Sequence, residues 1–202
     1  SLTEDYELGL RIGAAGGRTI MVRMVGSDGH LIGTRSCFPA TLSASVRQKT
    51  RWLTGIALAG WDRLGWRGNL AQKWMLLHDR RSIFAAFVMF VAYAGILASG
   101  LTALSCFALL HQPEPVPPIL KDLLLVNSLL LFWRLGVRAA FVASIYGPTE
   151  ALMSIPRSLI SNFISILSAR RACFTYLHHI FGAPLSWDKT DHLVVPARSH
   201  GQ

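Results

Sequence analysis

Charged residues are scarce in this chain, and their scarcity excludes an ordinary soluble domain. Asp, Glu, Lys and Arg make up 15% of the 202 residues, against roughly 25% in typical soluble domains. Hydrophobic residues make up 51%, and the mean hydropathy is +0.39. Acidic residues are fewer than basic ones, so the formal net charge is +9. A large apolar surface must therefore meet something other than water, and lipid is the simplest candidate.

Cysteine is also rare, which excludes a disulfide framework. The three cysteines, Cys37, Cys106 and Cys173, cannot all pair, and their spacing matches neither a zinc site nor a C-x-x-C redox motif. We interpret them as reduced packing residues.

Residues 82–112 contain no Asp, Glu, Lys or Arg. An α-helix needs about 20 residues to cross a hydrocarbon core of roughly 30 Å, so this segment predicts a transmembrane helix. The proline-rich connector Pro113–Pro118 lacks Lys and Arg and predicts a tight extracytoplasmic loop. A second transmembrane helix is predicted at 123–146.

Two basic residues, Arg134 and Arg138, interrupt the apolar run of the second span. Their spacing places both guanidinium groups on one helix face. Charge at membrane depth is costly, so one interpretation is contact with protein, a polar cavity, a lipid phosphate or a glycan. The other is that the cytoplasmic end of the helix begins near Arg138.

The segments flanking the spans predict a cytoplasmic face. Tryptophans mixed with basic residues indicate an interfacial segment at 59–81. Residues 150–182 have one serine-rich face and one apolar face, which predicts an amphipathic interfacial helix before a cytosolic tail at 183–202. Basic residues beside the spans place both ends in the cytoplasm of a multi-pass bacterial inner-membrane protein. Since the basic residues lie beside membrane segments, we expect no nucleic-acid partner.

Residues 1–58 mix helical and extended patterns, which predicts the end of a cytosolic α/β domain. A helix is expected from Glu4 to Ala15, ended by Gly16–Gly17. The β-branched run Thr19–Val25, followed by Gly26-Ser27-Asp28-Gly29, predicts a strand and a turn, with a weaker second strand at His30–Thr34. Another helix should open at Pro39 and Thr41 and continue through Val46, Trp52 and Ile56.

Two short motifs carry the chemistry. The first, Thr3-Glu4-Asp5, lies at a helix start, where such residues often serve only as a cap. The second is Gln48-Lys49-Thr50-Arg51-Trp52, whose Gln, Arg and Trp fall at i, i+3 and i+4 on one helix face. A carboxylate suits a general base, an arginine fork suits a diphosphate, and an indole suits the apolar side of a sugar.

These motifs resemble the T-E-D and Q-x-x-R-W motifs of the membrane-bound family-2 glycosyltransferases, the group that includes cellulose and hyaluronan synthases. The resemblance implies the C-terminal part of an α/β GT-A domain, followed by membrane helices. It implies Asp5 as the catalytic base, with Thr3 and Glu4 supporting it. It also implies that Gln48, Arg51 and Trp52 contact the donor diphosphate and the acceptor.

Further stretches resemble the inner-membrane glycosyltransferases of the bacteriophage adsorption protein B type, which are linked to exopolysaccharide secretion. They are Phe38–Thr41 leading into Arg47–Gly55, Gly60–Gly65 with Trp66, and Pro184–Thr190. One departure is that Ser36 and Cys37 stand where an acidic residue is often found.

Family-2 enzymes bind the nucleotide and a divalent metal through aspartates that include a D-x-D motif, and no D-x-D occurs in this sequence. The chain begins at Ser1, directly before a mid-domain motif. We therefore expect a C-terminal fragment, inactive alone, with Mg²⁺ or Mn²⁺ held by a preceding half.

The resemblance implies sugar transfer from a nucleotide-sugar donor to a growing or lipid-linked glycan, in exopolysaccharide synthesis or secretion. Its partners would be the donor, the acceptor, membrane lipids and an outer-membrane secretion partner. A single-addition lipid glycosyltransferase is the alternative within the class. The alternative outside it is a non-enzymatic membrane scaffold of a polysaccharide-secretion or phage-adsorption apparatus that retains the fold.

Overall fold

The computed structural model describes residues 2–20, 22–27, 29, 32, 39–110 and 115–185. Within these residues the chain is mainly helical. The helices are α1 (Glu4–Ala14), α2 (Leu42–Leu53), α3 (Ala59–Leu64), α4 (Leu70–Arg80), α5 (Ser82–Ala108), α6 (Pro118–Tyr146) and α7 (Pro148–Ile180), with a π-helical turn at Thr54–Leu58 between α2 and α3. Three of them, α5, α6 and α7, are long and apolar enough to cross a membrane.

The two helices that carry the motifs form where the sequence predicts them. α1 ends in a Schellman motif, in which the Gly17 N–H donates to the Ile12 carbonyl at 2.9 Å and the Gly16 N–H donates to Gly13 at 3.1 Å. α2 begins at a side-chain cap, because the Thr41 hydroxyl accepts the Ala44 N–H at 3.2 Å. The end of α1 and the start of α2 are therefore both explained by residues next to them in the sequence.

The predicted extended segment forms no regular strand among the described residues. Val25 makes a single isolated bridge, and the Ile32 N–H donates to the Met24 carbonyl at 3.0 Å. The predicted turn is present, with the Gly29 N–H donating to Gly26 at 3.0 Å. A strand requires a partner along its length, and the described residues supply one only at this bridge. The α/β part of the predicted fold stays a prediction.

The sequence predicts one continuous helix through Ile56, whereas the structure inserts the π-helical turn directly after Trp52 and Leu53. This turn needs glycine where the widened backbone approaches itself. A Cβ at Gly60 would lie 2.0 Å from the Gly55 carbonyl oxygen, a distance that no side chain tolerates. Such π-turns are frequent at functional sites.

The chain divides into two compact units. The first contains the described residues up to Phe87 and those from Ile164 onward, and we call it the platform. Its small apolar core contains Leu53, Ala86, Ala169 and Ala172, with Leu58 and Ile83 packed against them. α2, the start of α5 and the end of α7 therefore meet in one place.

The second unit, Val88–Phe163, contains α6, most of α5 and the first half of α7. α6 has no buried residue. Between α5 and α7 the rings of Tyr93 and Phe163 stack at 5.4 Å, and the Asn162 amide donates to the Tyr93 hydroxyl at 3.1 Å. Along these helices most large apolar side chains are exposed, as in helices that face lipid.

The serine face of α7 is partly covered by other parts of the protein. The expected interfacial helix would turn its serine face to the headgroups, but Ser154 and Ser168 are buried and Ser165 contacts α2. The apolar Leu159 and Phe163 are exposed instead. By length and hydropathy alone α7 is a third candidate span, in addition to the two predicted ones, and the interfacial placement of residues 150–182 stays a prediction.

Candidate functional site

The structure brings Thr3 of the first motif against Gly55, in the π-helical turn that follows the second motif. A Cβ at Gly55 would lie 2.7 Å from both Cγ2 and Oγ1 of Thr3 and 3.1 Å from Cβ of Leu2. Gly55 lies four residues after Arg51, so it continues the face that carries Gln48 and Arg51. The Thr3 side chain thus occupies the space that the missing side chain of Gly55 leaves on that face.

Thr3 does not serve as a simple side-chain cap of α1. Its hydroxyl makes no capping hydrogen bond, and only its carbonyl joins the helix, accepting the Glu7 N–H at 3.2 Å. The side chain packs against Gly55 instead. A capping role is therefore insufficient to explain this threonine.

The exposure of the Q-x-x-R-W side chains rises along α2. Gln48 is buried, with 9% of its surface exposed, whereas Trp52 is 40% exposed. Arg51 is intermediate. The face therefore runs from a buried amide to a solvent-accessible indole within one helical turn.

The acidic residues of the first motif are open to solvent, and the two residues after them anchor α1. Glu4 and Asp5 are exposed. The Tyr6 hydroxyl donates to Oδ2 of Asp79 on α4 at 3.0 Å, and Glu7 pairs with Arg63 on α3 and, at 3.9 Å, with Arg11. Burial, followed by the bond to Asp79, raises the pKa of Tyr6 to about 12.

The opposite side of α2 is attached to α7. The Lys49 ammonium donates to Oγ of Ser165 at 2.6 Å, and the Thr50 hydroxyl donates to the Ser168 carbonyl at 3.4 Å. The Ser168 hydroxyl in turn donates to the Val46 carbonyl at 3.3 Å. Burial lowers the pKa of Lys49 from its ordinary value. These bonds fix the rotation of α2, and with it the direction in which the motif face points.

Two of the tryptophans predicted to be interfacial surround a buried cation. The Arg80 guanidinium lies 5.0 Å from the ring centroid of Trp61 and 4.7 Å from that of Trp66, and it donates to the Gly65 carbonyl at 2.7 Å. Only 5% of Arg80 is exposed. Trp74 remains largely exposed. Trp61 and Trp66 therefore help to pack the C-terminal end of α4 against α3 and the residues that follow it.

The remaining predicted residues belong to the second unit or lie outside the described part. Arg134 and Arg138 are exposed on α6. Ser36 and Cys37, as well as residues 186–190, lie outside the described residues. No group of three or more His, Cys, Asp or Glu among the described residues could hold a metal ion.

Sequence reasoning missed four residues that shape this site: Tyr6, Gly55, Gly60 and Asp79. A usable signal existed for the glycines, because two glycines five residues apart directly after an Arg-Trp pair are unusual within a helix. No sequence signal linked Tyr6 to Asp79, because that pair is defined only by the packing of α1 on α4.

Comparison with known proteins gives a consistent picture. The chain is 31% identical to Bacteriophage adsorption protein B of Escherichia coli (strain K12), over 95% of this chain and 29% of that protein. The same values hold for Bacteriophage N4 adsorption protein B of Escherichia coli O157:H7. The chain thus spans under a third of the length of these curated relatives. No solved structure matches it.

A match to the family described as "Glycosyl transferase family group 2" covers residues 1–110. This range contains both motifs, the π-helical turn and α5. Because it exceeds half of the 202 residues, this chain belongs to glycosyl transferase family group 2.

Proposed function

We propose that this chain is the acceptor-side, membrane-bound part of an inner-membrane glycosyltransferase. The enzyme would transfer a sugar from a nucleotide-sugar donor to a growing or lipid-linked glycan at the cytoplasmic face. The observation that carries the proposal is the contact of Thr3 with Gly55, because it brings the T-E-D motif beside the π-helical turn that directly follows the Q-x-x-R-W helix. An acceptor base and diphosphate-binding groups must lie side by side for such a transfer.

In this proposal Asp5 is the general base, with Thr3 and Glu4 supporting it. Its exposed carboxylate takes the proton of the acceptor hydroxyl, whose oxygen then forms a bond to the anomeric carbon of the donor sugar. The bond from that carbon to the diphosphate oxygen breaks, and the nucleoside diphosphate leaves with the electron pair. The position of Asp5 in the first turn of α1 leaves it accessible to an acceptor.

Gln48, Arg51 and Trp52 would bind the other side of the reacting centre. The Arg51 guanidinium offers charge-assisted hydrogen bonds to the departing diphosphate, and the Gln48 amide extends the same face. The exposed indole of Trp52 would contact the acceptor sugar. A divalent cation, Mg²⁺ or Mn²⁺, is expected in the family, but the described residues offer no ligand cluster for it. We assign it to another part of the enzyme, and none of the roles above depends on it.

The surroundings of the site support a membrane glycan as the acceptor. α4 is separated from the apolar helix α5 by Arg81 alone, so the platform adjoins a candidate span. Arg134 and Arg138 on α6 would contact lipid phosphate or glycan. The names of the curated relatives refer to bacteriophage adsorption. From the family resemblance we further propose a role in exopolysaccharide synthesis or secretion with an outer-membrane partner.

A second candidate function is a non-enzymatic scaffold of such a secretion or phage-adsorption apparatus. The observation in its favour is that the curated relatives are named for adsorption and not for sugar transfer. The scaffold would keep the contact of Thr3 with Gly55 but would not need an acidic side chain at position 5.

The deciding experiment is Asp5→Asn in the full-length gene product in membranes. We expect sugar transfer to fall by a factor of about 100 to 10,000, the range typical of a lost general base, while donor binding measured by titration calorimetry stays within about twofold. Asp122→Asn, which changes an exposed carboxylate at the start of α6, is the matched control and should leave transfer unchanged. Equal loss of binding and transfer would move Asp5 to the donor site. Unchanged transfer would refute Asp5 as the base. No transfer by the parent protein would favour the scaffold.

A further inference from the structure

We propose that Tyr6 and Glu7, the two residues directly after Asp5, are positioning residues that hold this carboxylate in place for proton transfer. They would act through Asp79 on α4 and Arg63 on α3. This inference rests on the proposed function, because it assumes that Asp5 is the base.

The geometry gives α1 two polar anchors on different neighbours. Successive residues of an α-helix point about 100° apart, so Asp5, Tyr6 and Glu7 leave the helix in three directions. Tyr6 reaches α4, where its hydroxyl donates to Asp79 at 3.0 Å, and Glu7 reaches α3, where it pairs with Arg63. Two anchors on two helices restrain the rotation of α1 about its axis as well as its position. Rotation is the movement that would turn Asp5 away from an acceptor.

Apolar packing cannot supply this restraint by itself. Glu7 is the one residue of α1 that is buried, with 7% of its surface exposed. A buried carboxylate is stable only with partners, and Glu7 has two arginines, Arg63 and Arg11. The polar anchors and the contact of Thr3 with Gly55 therefore define where the helix lies.

Asp79, which accepts the hydrogen bond from Tyr6, lies next to a buried residue with several contacts. Asp79 precedes Arg80, whose guanidinium is enclosed by Trp61 and Trp66 and donates to the Gly65 carbonyl. Only Arg81 separates this end of α4 from α5. The bond from Tyr6 to Asp79 thus attaches the helix of the base to the element that leads directly into a candidate span. An acceptor supplied from the membrane would then meet Asp5 at a defined position.

A matched tyrosine in the same platform provides a control. Tyr176 on α7 also donates its hydroxyl to an aspartate, Asp62 on α3, but that bond does not involve α1. Loss of either bond removes one tyrosine–carboxylate contact. Only the loss of the Tyr6 bond should affect the placement of Asp5.

The test measures steady-state transfer by the full-length protein in membranes, per folded molecule. We expect Tyr6→Phe and Glu7→Gln each to lower kcat roughly tenfold with the donor KM within about twofold, because misplacing a reacting group costs rate more than binding. Tyr176→Phe should leave kcat unchanged. Asp79→Ala should lower kcat as much as Tyr6→Phe does. Asp79→Asn should retain most of the rate because it keeps an acceptor oxygen. The double variant Tyr6→Phe/Asp79→Ala should be no slower than either single variant.

Several outcomes would overturn the inference. They are an unchanged kcat for Tyr6→Phe and Glu7→Gln, an equal loss for Tyr176→Phe, and additive losses in the double variant. These results would leave the proposed function intact if Asp5→Asn still abolished transfer. Retained transfer in Asp5→Asn would instead refute Asp5 as the base, and with it the premise of this inference.

Discussion

The platform and the apolar helices of the second unit are held by different means. In the platform, short helices meet through specific polar contacts such as Tyr6–Asp79 and Lys49–Ser165. In the second unit α6 has no buried residue, and α5 and α6 are defined by length and hydropathy. Contacts within the protein therefore define the geometry of the platform. The exposed apolar side chains of the long helices must instead be covered by lipid. An exposed leucine in the long helices is consequently expected to face lipid, whereas one in the platform is expected to face water.

The strongest test of this contrast is the membrane topology of the chain, because each labelled position should lie entirely on one side of the membrane. The start of α5 and the end of α7 both belong to the platform, since Ile83 and Ala86 pack with Ala169 and Ala172 and Tyr176 bonds to Asp62. A chain that leaves the platform in α5 and meets it again in α7 crosses the membrane an even number of times. The part of α7 outside the platform, residues 148–163, rises only about 24 Å, which is less than the roughly 30 Å of a bilayer core.

We therefore expect two crossings, with both ends in the cytoplasm and residues 113–118 outside. After Cys37, Cys106 and Cys173 are replaced, Val116→Cys should react with an impermeant maleimide in intact spheroplasts and Lys189→Cys should not. Both should react once detergent is added, which is the control for accessibility. Labelling at position 189 and not at position 116 would reverse the orientation, and labelling at both would indicate that α7 crosses.

The next largest effect should come from the same substitution made in the two regions. Leu97 on α5 and Leu70 on α4 are 65% and 85% exposed. Leu97→Asp would place a carboxylate near the centre of a span, at a cost of roughly 3 kcal/mol of insertion free energy. Leu70→Asp would place one after the Asn69 cap, where the helix dipole favours it, so stability should change by less than about 0.5 kcal/mol.

The measurement for both variants is the fraction of protein that remains in membranes after carbonate extraction. We expect a large loss for Leu97→Asp and none for Leu70→Asp. Equal behaviour would contradict the assignment of α5 to lipid and of α4 to the aqueous interface.

The smallest expected effect concerns Trp52, an exposed apolar residue of the platform. If its indole stacks on the acceptor sugar, Trp52→Phe should keep a flat apolar face and lose about twofold to fivefold in transfer. Trp52→Leu should lose about tenfold with the amount of folded protein unchanged. The measurement is activity per folded molecule at several acceptor concentrations. A loss that follows protein abundance would make Trp52 a packing anchor.

Much of the architecture could be predicted from local sequence patterns. The absence of charge from residues 82–112 predicted α5, and the apolar run after Lys121–Asp122 predicted the second candidate span. The periods of α1 and α2 and the cap at Thr41 were also readable. The family assignment followed from two motifs and their order, and the comparison confirmed it. The roles of Asp5, Gln48, Arg51 and Trp52 stay predictions.

Other features could not be derived from local patterns. The extended segment at 19–25 had the composition of a strand, but strand formation depends on a partner elsewhere in the chain. The serine face of α7 suggested solvent, because a helical pattern separates two faces without showing what covers each. The buried position of Arg80 depended on two tryptophans that the sequence placed at the membrane interface.

The sequence by itself determined which segments are helical, which are apolar enough for lipid, and which residues carry transferase chemistry, because these properties depend on neighbours within a few turns. Only the tertiary structure decided that Thr3 lies against Gly55, that Tyr6 and Glu7 anchor the helix of Asp5, and that α2 is attached to α7 through Lys49 and Thr50. These contacts join residues 50 to 120 positions apart. They depend on how whole helices pack, and no local pattern encodes that packing.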